Sequence, residues 1–184
     1  AISMLIALRE EYQSEANPII VSGCIGPRGD GYDPGRIMSV DEAQAYHAHQ
    51  ARIFHSAGVD MISAITMTNV PEATGLALAA KALHVPVAIS FTVETDGRLP
   101  TGDSLSDAVA AVDEATQNYP AYYMINCAHP THFAGALEEN APWTARIRGL
   151  RANASTCSHA ELDAMTELDI GDPLDLAARH KMLV

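Results

Sequence analysis

"VPVAISFTV", residues 85–93, decides how this chain is organised. The run is almost continuously apolar and rich in β-branched residues. It shows no alternation of polar and apolar positions. A strand with one wet face alternates; a strand covered on both faces does not. Helical patterns lie on both sides of it. Before it, "VPEATGLALAAKALH" (70–84) has Asn69 as a cap, Pro71 in the first turn and Glu72 near the positive end of the helix dipole. After it, "SLSDAVAAVDEATQNY" (104–119) opens with Ser104 and Asp107 in a capping-box-like spacing. A buried strand between two helices predicts a parallel sheet with helical crossovers, an α/β fold.

The same rhythm extends outward. "PIIVSGCIG" (18–26), "VDMISAITM" (59–67), "AYYMINC" (121–127) and the weaker "ARIRGLRANA" (145–154) read as further strands. Between them, "SVDEAQAYHAHQARIFHSAG" (39–58) carries a capping box, Ser39 with Glu42, and stops at Gly58. "THFAGALEENA" (131–141) reads as a helix, Ser158 with Glu161 gives another start signal, and "DPLDLAARHKML" (172–183) is a last helix. Two architectures accommodate five such strands: a doubly wound open sheet and part of a (β/α)8 barrel. No strand leads into a Gly-rich dinucleotide loop or a P-loop, which counts against the nucleotide-binding folds.

The chain has 184 residues, enough for one core and one domain. Its 23 acidic and 11 basic residues give a formal charge of −12, which repels phosphate backbones and anionic lipid. Neither nucleic acid nor membrane is expected as a partner. The segment "AISMLIALREEYQ" (1–13) has no basic leader and reads as an amphipathic helix. Cys24, Cys127 and Cys157 are odd in number and widely spaced, which is no disulfide framework and implies a reducing cytoplasm. "RGD" (28–30) lies in a Gly-rich turn and reads as chance.

Ligands of parallel α/β sheets sit at the carboxyl ends of the strands. The residues there are Cys24, Thr66 to Thr68, Thr92 to Asp96, Asn126 to His129, and Asn153 to Ser155. Most are small and polar and suit a polar small molecule. Cys127 has three chemical readings. It is a soft thiolate ligand for zinc, a nucleophile with a histidine base, or a small buried core residue. His129 and His132 would complete a local C-x-H-x-x-H site, but Pro130 breaks the segment between them. The helical His47, His49 and His55 lack the i, i+4 spacing of a metal pair. Arg146, Arg148 and Arg151 read as helix-facing or surface residues rather than an anion site.

"GCIGPRGDGY" (23–32), "AGVDMISAITMTNVPEA" (57–73), "AISFTVETDGRLPTG" (88–102) and "YYMINCAHP" (122–130) follow one another in a telling order. In these segments, from about Pro18 onward, the chain resembles the homocysteine S-methyltransferase family, zinc-dependent barrel enzymes that methylate homocysteine to methionine. The resemblance implies a (β/α)8 TIM-type barrel, represented here by about five βα units, its third to seventh strands. Residues 1–184 would be a single barrel domain lacking its first two strands and its last. An eight-stranded barrel needs roughly 250 residues, so the resemblance implies a piece, or the ordered part, of a longer protein.

The resemblance also implies site residues. The family's zinc is held by three cysteines, and Cys127 matches the one in the Asn-Cys strand; the Gly-Gly-Cys-Cys pair has no counterpart in this sequence. Homocysteine and a methyl donor are the implied small-molecule partners, with S-methylmethionine, S-adenosylmethionine and betaine open as donors. Thr66, Glu94, Asn126 and Asn153 are the implied substrate-binding residues. Ile65 stands where members often carry a glutamate for the substrate's amino group, and Glu94, on the neighbouring strand end, is the substitute. A non-catalytic relative that binds an amino-acid-like molecule is the alternative reading.

Overall fold

The computed structural model describes residues 1–137 and 141–183. Helix α1 (Ile2–Tyr12) precedes strand β1 (Ser22–Ile25). There follow α2 (Val40–Ser56), β2 (Met61–Met67), α3 (Val70–Ala82), β3 (Val87–Thr92), α4 (Leu105–Thr116), β4 (Tyr122–Asn126) and α5 (Pro130–Leu137). A 3₁₀ turn (Pro142–Arg146) leads into β5 (Ile147–Arg151), and α6 (His159–Ala164) and α7 (Pro173–Met182) close the order. Part of the helix expected over 131–141, at 138–140, lies outside the described residues.

The five strands form one parallel sheet in the order β1-β2-β3-β4-β5. That order separates the two expected architectures. A doubly wound sheet reverses its strand order at a switch point; this sheet advances one strand at a time, as the wall of a barrel does. The structure is therefore α/β, with a parallel arc consistent with an incomplete TIM-type barrel.

The two faces of the sheet differ in chemistry. Ile62 and Ala64 of β2, Val87, Ile89 and Phe91 of β3, and Tyr123 and Ile125 of β4 are buried in one cluster with Leu76, Ala77 and Val109 of the helices. Alternate residues point to opposite faces, so Ser90, Thr92 and Asn126 lie on the other, concave face. Gly75 permits close packing of α2 on α3, because a Cβ there would meet that of Ala43 at 2.5 Å. The expected caps are present: Ser39 and Ser158 in full capping boxes, Asn69 and Ser104 accepting from the third residue of their helices.

Three expectations are corrected. β1 begins at Ser22 rather than Pro18, because the Asp60 carboxylate takes the Val21 N–H at 2.7 Å in place of a continued ladder. β5 is shorter than 145–154, since the 3₁₀ turn occupies its first two residues. α1 is helical but none of its residues is buried, so the buried face of an amphipathic helix is not present. Met4 and Tyr12 are exposed, and the helix is tied down through Arg9 to Asp60 at 2.6 Å.

Candidate functional site

The carboxyl ends of β2, β4 and β5 surround an open cavity of about 440 Å³, lined by Ile65, Thr66, Asn126, Cys127, Arg151, Ala152 and Asn153. Three of the substrate-binding residues expected from sequence, Thr66, Asn126 and Asn153, meet there with Cys127.

Asn126 organises this end of the sheet. Its side-chain oxygen accepts from the Ser90 hydroxyl and from the Thr66 N–H at 3.2 Å. Its amide nitrogen donates to the Thr92 hydroxyl at 3.0 Å, with a longer 3.5 Å contact to the Thr66 hydroxyl. An amide has two acceptor sites and two donors, so this group is occupied within the protein. These bonds give Asn126 an orienting role at the end of the sheet, and it also lines the cavity.

Thr66 and Cys127 both have left-handed backbone, with φ of +63° and +59°. For a β-branched threonine this conformation is rare, and strain of about 1–3 kcal/mol per residue is held only where the surroundings impose it. Asn126 supplies the restraint at Thr66. Gly31 in the loop after β1 packs directly on that threonine, since a Cβ there would approach its methyl group to 2.7 Å. At Cys127 the N–H donates to the Arg151 carbonyl at 3.1 Å, and the carbonyl accepts from His159 Nε2 at 2.6 Å.

The loop between β1 and α2 covers the same end. Glu72 on α3 anchors it by accepting the Arg28 N–H at 2.6 Å, while also taking His47 Nε2 at 2.9 Å. Burial pushes the Glu72 carboxyl up, but the bonds from His47 and Arg28 outweigh it and hold the group below its ordinary value. The RGD turn serves this loop internally: the Asp30 carboxylate accepts from the Tyr32 and Asp33 N–H groups, and the Arg28 guanidinium donates to the Arg36 carbonyl. Tyr32 lies against His159 with ring centroids 3.9 Å apart and the rings tilted by 33°. Burial, then a hydrogen bond to Cys127 and nearby negative charge, push the Tyr32 hydroxyl up to about 12, so it stays protonated at neutral pH.

Glu94 does not line the cavity; its carboxylate lies 3.2 Å from His159 Nδ1. Cys24 is exposed on β1, and the three cysteines are free thiols. His129 is buried against Thr131, and burial, reinforced by the Arg179 charge, holds its ring below the ordinary imidazole range. His132 reaches the Thr156 carbonyl. The local C-x-H-x-x-H site does not form, and among the described residues no three ligating side chains meet.

Two arginine expectations divide. Arg146 packs as expected, paired through two nitrogens to Asp113 at 2.8 and 2.9 Å. Arg151, by contrast, lines the cavity. Sequence reasoning missed Arg151, His159 and Tyr32. The register offered a signal for the first, because Arg151 pairs with Asn126 and so shares its concave face.

The comparisons agree with this fold. The family model for homocysteine S-methyltransferase matches residues 1–172, so the match includes α1. Among solved structures, the homocysteine methyltransferase MmuM from Escherichia coli is similar in its metallated form, with a TM-score of 0.66 and 21% identity over 98% of this chain and 68% of that one. Its apo form gives 0.63 and 22% over 97% and 70%, and its oxidized form 0.66 and 22% over 98% and 68%. No curated protein matches the sequence. With its family match spanning almost the whole sequence, the chain belongs to the homocysteine S-methyltransferase family.

Proposed function

We propose that the protein moves a methyl group from a sulfonium or ammonium donor to the thiol of homocysteine, forming methionine, with Cys127 as one ligand of a zinc ion. Family membership supports methyl transfer to homocysteine. The observation that carries the finer reading is the end of β4, where Cys127 is held in a left-handed turn at the edge of a polar cavity. A catalytic zinc takes three protein ligands and keeps an open position. The thiol of Cys127 fits as one donor; the described residues supply no complete set, and the cysteine pair implied by the family resemblance would provide the rest. A bound zinc would hold the acceptor thiol as its thiolate at neutral pH.

The reaction forms a bond between the acceptor sulfur and the methyl carbon. The bond from that carbon to the donor's positive sulfur or nitrogen breaks, and its electron pair leaves with the donor as a neutral thioether or amine. The protein's part is placement. Thr66 and Asn153 line the cavity, and Asn153 is fixed by its N–H to the Ala128 carbonyl at 2.9 Å. Arg151 offers a cation to the carboxylate of an amino-acid substrate. Glu94 at the neighbouring strand end is the carboxylate proposed in place of the one Ile65 lacks, although it faces His159 rather than the cavity. Residues 1–184 act as a single barrel-type domain in a reducing, cytoplasmic setting; no helix among the described residues is long and apolar enough to cross a membrane.

One observation favours a second reading. Ile65 lines the cavity and cannot pair with an ammonium group, as a non-catalytic binder of an amino-acid-like molecule would allow. Incubation of the full natural-length protein with homocysteine and each of S-methylmethionine, S-adenosylmethionine and betaine separates the two. Methionine appears with at least one donor if the first reading holds. Homocysteine binding without methionine from any donor establishes the second.

A further inference from the structure

We propose that His159 is the positioning residue for Cys127, setting the direction of its thiol by holding its carbonyl. This rests on the reading of Cys127 as a metal ligand. A left-handed backbone is unfavourable for an L-residue, so the turn at Cys127 needs outside support. Both of its peptide groups are tied to other segments. The N–H goes to Arg151 on β5, and the carbonyl receives His159 Nε2 at 2.6 Å. A carbonyl only accepts, so Nε2 carries the proton.

The ring is itself fixed on three sides. His159 is the first residue of α6, and the Ser158–Glu161 capping box sets where that helix starts. Glu94 from the β3–α4 loop faces Nδ1 at 3.2 Å. Tyr32 from the β1–α2 loop lies against the ring, with ring centroids 3.9 Å apart. Three segments thus converge on an imidazole that is only 8% exposed, and its donor goes to the residue whose thiol matters most. A residue that orients a ligand from outside typically changes metal affinity or activity by roughly 10–100-fold when lost.

Two near-isosteric substitutions in the full natural-length protein test this. In His159→Gln the side-chain amide reaches the Nε2 position and can still donate to the Cys127 carbonyl. In His159→Asn it reaches only the Nδ1 position. We expect H159N to weaken zinc binding by about 10–100-fold in chelator competition, and H159Q to stay near wild type. In metal-stripped protein, H159N should also change the rate at which Cys127 is alkylated, and H159Q should not. Thermal melting of both variants accompanies the titrations, and two variants that melt together compare position rather than fold. Equal affinities for H159N and H159Q at equal stability overturn the proposal. Cys127→Ser is titrated alongside: zinc retained there sinks the ligand reading itself, whereas zinc lost there but kept in H159N sinks only the role of His159.

Discussion

β3 and β5 belong to one sheet but are made differently. Every residue of β3 is buried, between the helices on one face and the polar concave side on the other. No residue of β5 is buried. The cavity lies between these regimes. On the β3 side its walls are set by core packing, passed on through Ser90, Thr92 and Asn126. On the β5 side they are set by single hydrogen bonds: Cys127 N–H to the Arg151 carbonyl, Asn153 N–H to the Ala128 carbonyl, and His159 Nε2 to the Cys127 carbonyl. Half of the site is placed by hydrophobic burial and half by a few directional contacts.

The largest expected effect tests the burial half. Phe91→Ala on β3 empties a fully buried position and should cost about 3–5 kcal/mol in denaturant unfolding. Leu150→Ala on β5 should cost less than about 2 kcal/mol, because that side chain is already partly exposed. Equal losses would erase the distinction between the strands. Asn126→Ala comes next: it leaves the Ser90 hydroxyl and the Thr66 N–H without their partner, at about 1–3 kcal/mol. It should also free the left-handed turn at Thr66, visible as faster amide exchange there; unchanged exchange would show that Gly31 and the loop suffice.

The smallest effect concerns the anchored loop and depends on pH. Glu72 is held below its ordinary value of 4.5 in the folded protein. Its contribution is therefore complete above that value and is lost as pH falls through the lower folded value. Glu72→Gln should remove that part of the acid-side decline while lowering stability near neutrality by about 1 kcal/mol or somewhat more. A stability profile between pH 3 and 6 that is parallel to wild type would assign the loop's anchoring elsewhere.

What was legible in the sequence follows the same division. Buried strands announce themselves as continuous apolar runs, and caps are local, so β3 and the starts of α2, α3, α4 and α6 were readable. Cys127, Thr66 and Asn153 were readable as strand ends that meet in one cavity. His159 was not. It lies 32 residues from Cys127 and 65 from Glu94, and no local pattern links them. The nearer His129 and His132 carried the spacing signal, yet the chain turns them toward Thr131 and Thr156. The left-handed turns at Thr66 and Cys127 were equally silent, since neither position holds a glycine or asparagine that would mark one. Contacts made by one directional bond between distant loops leave no periodicity behind.

The function proposed above has Cys127, alone among the three cysteines, as a zinc ligand. The most direct test is the zinc content of the full natural-length protein, purified as wild type, Cys24→Ser, Cys127→Ser and Cys157→Ser. About one zinc per chain is expected in the wild type, retained in C24S and C157S and lost in C127S. Zinc retained in C127S, or lost equally from all three variants, would contradict the account.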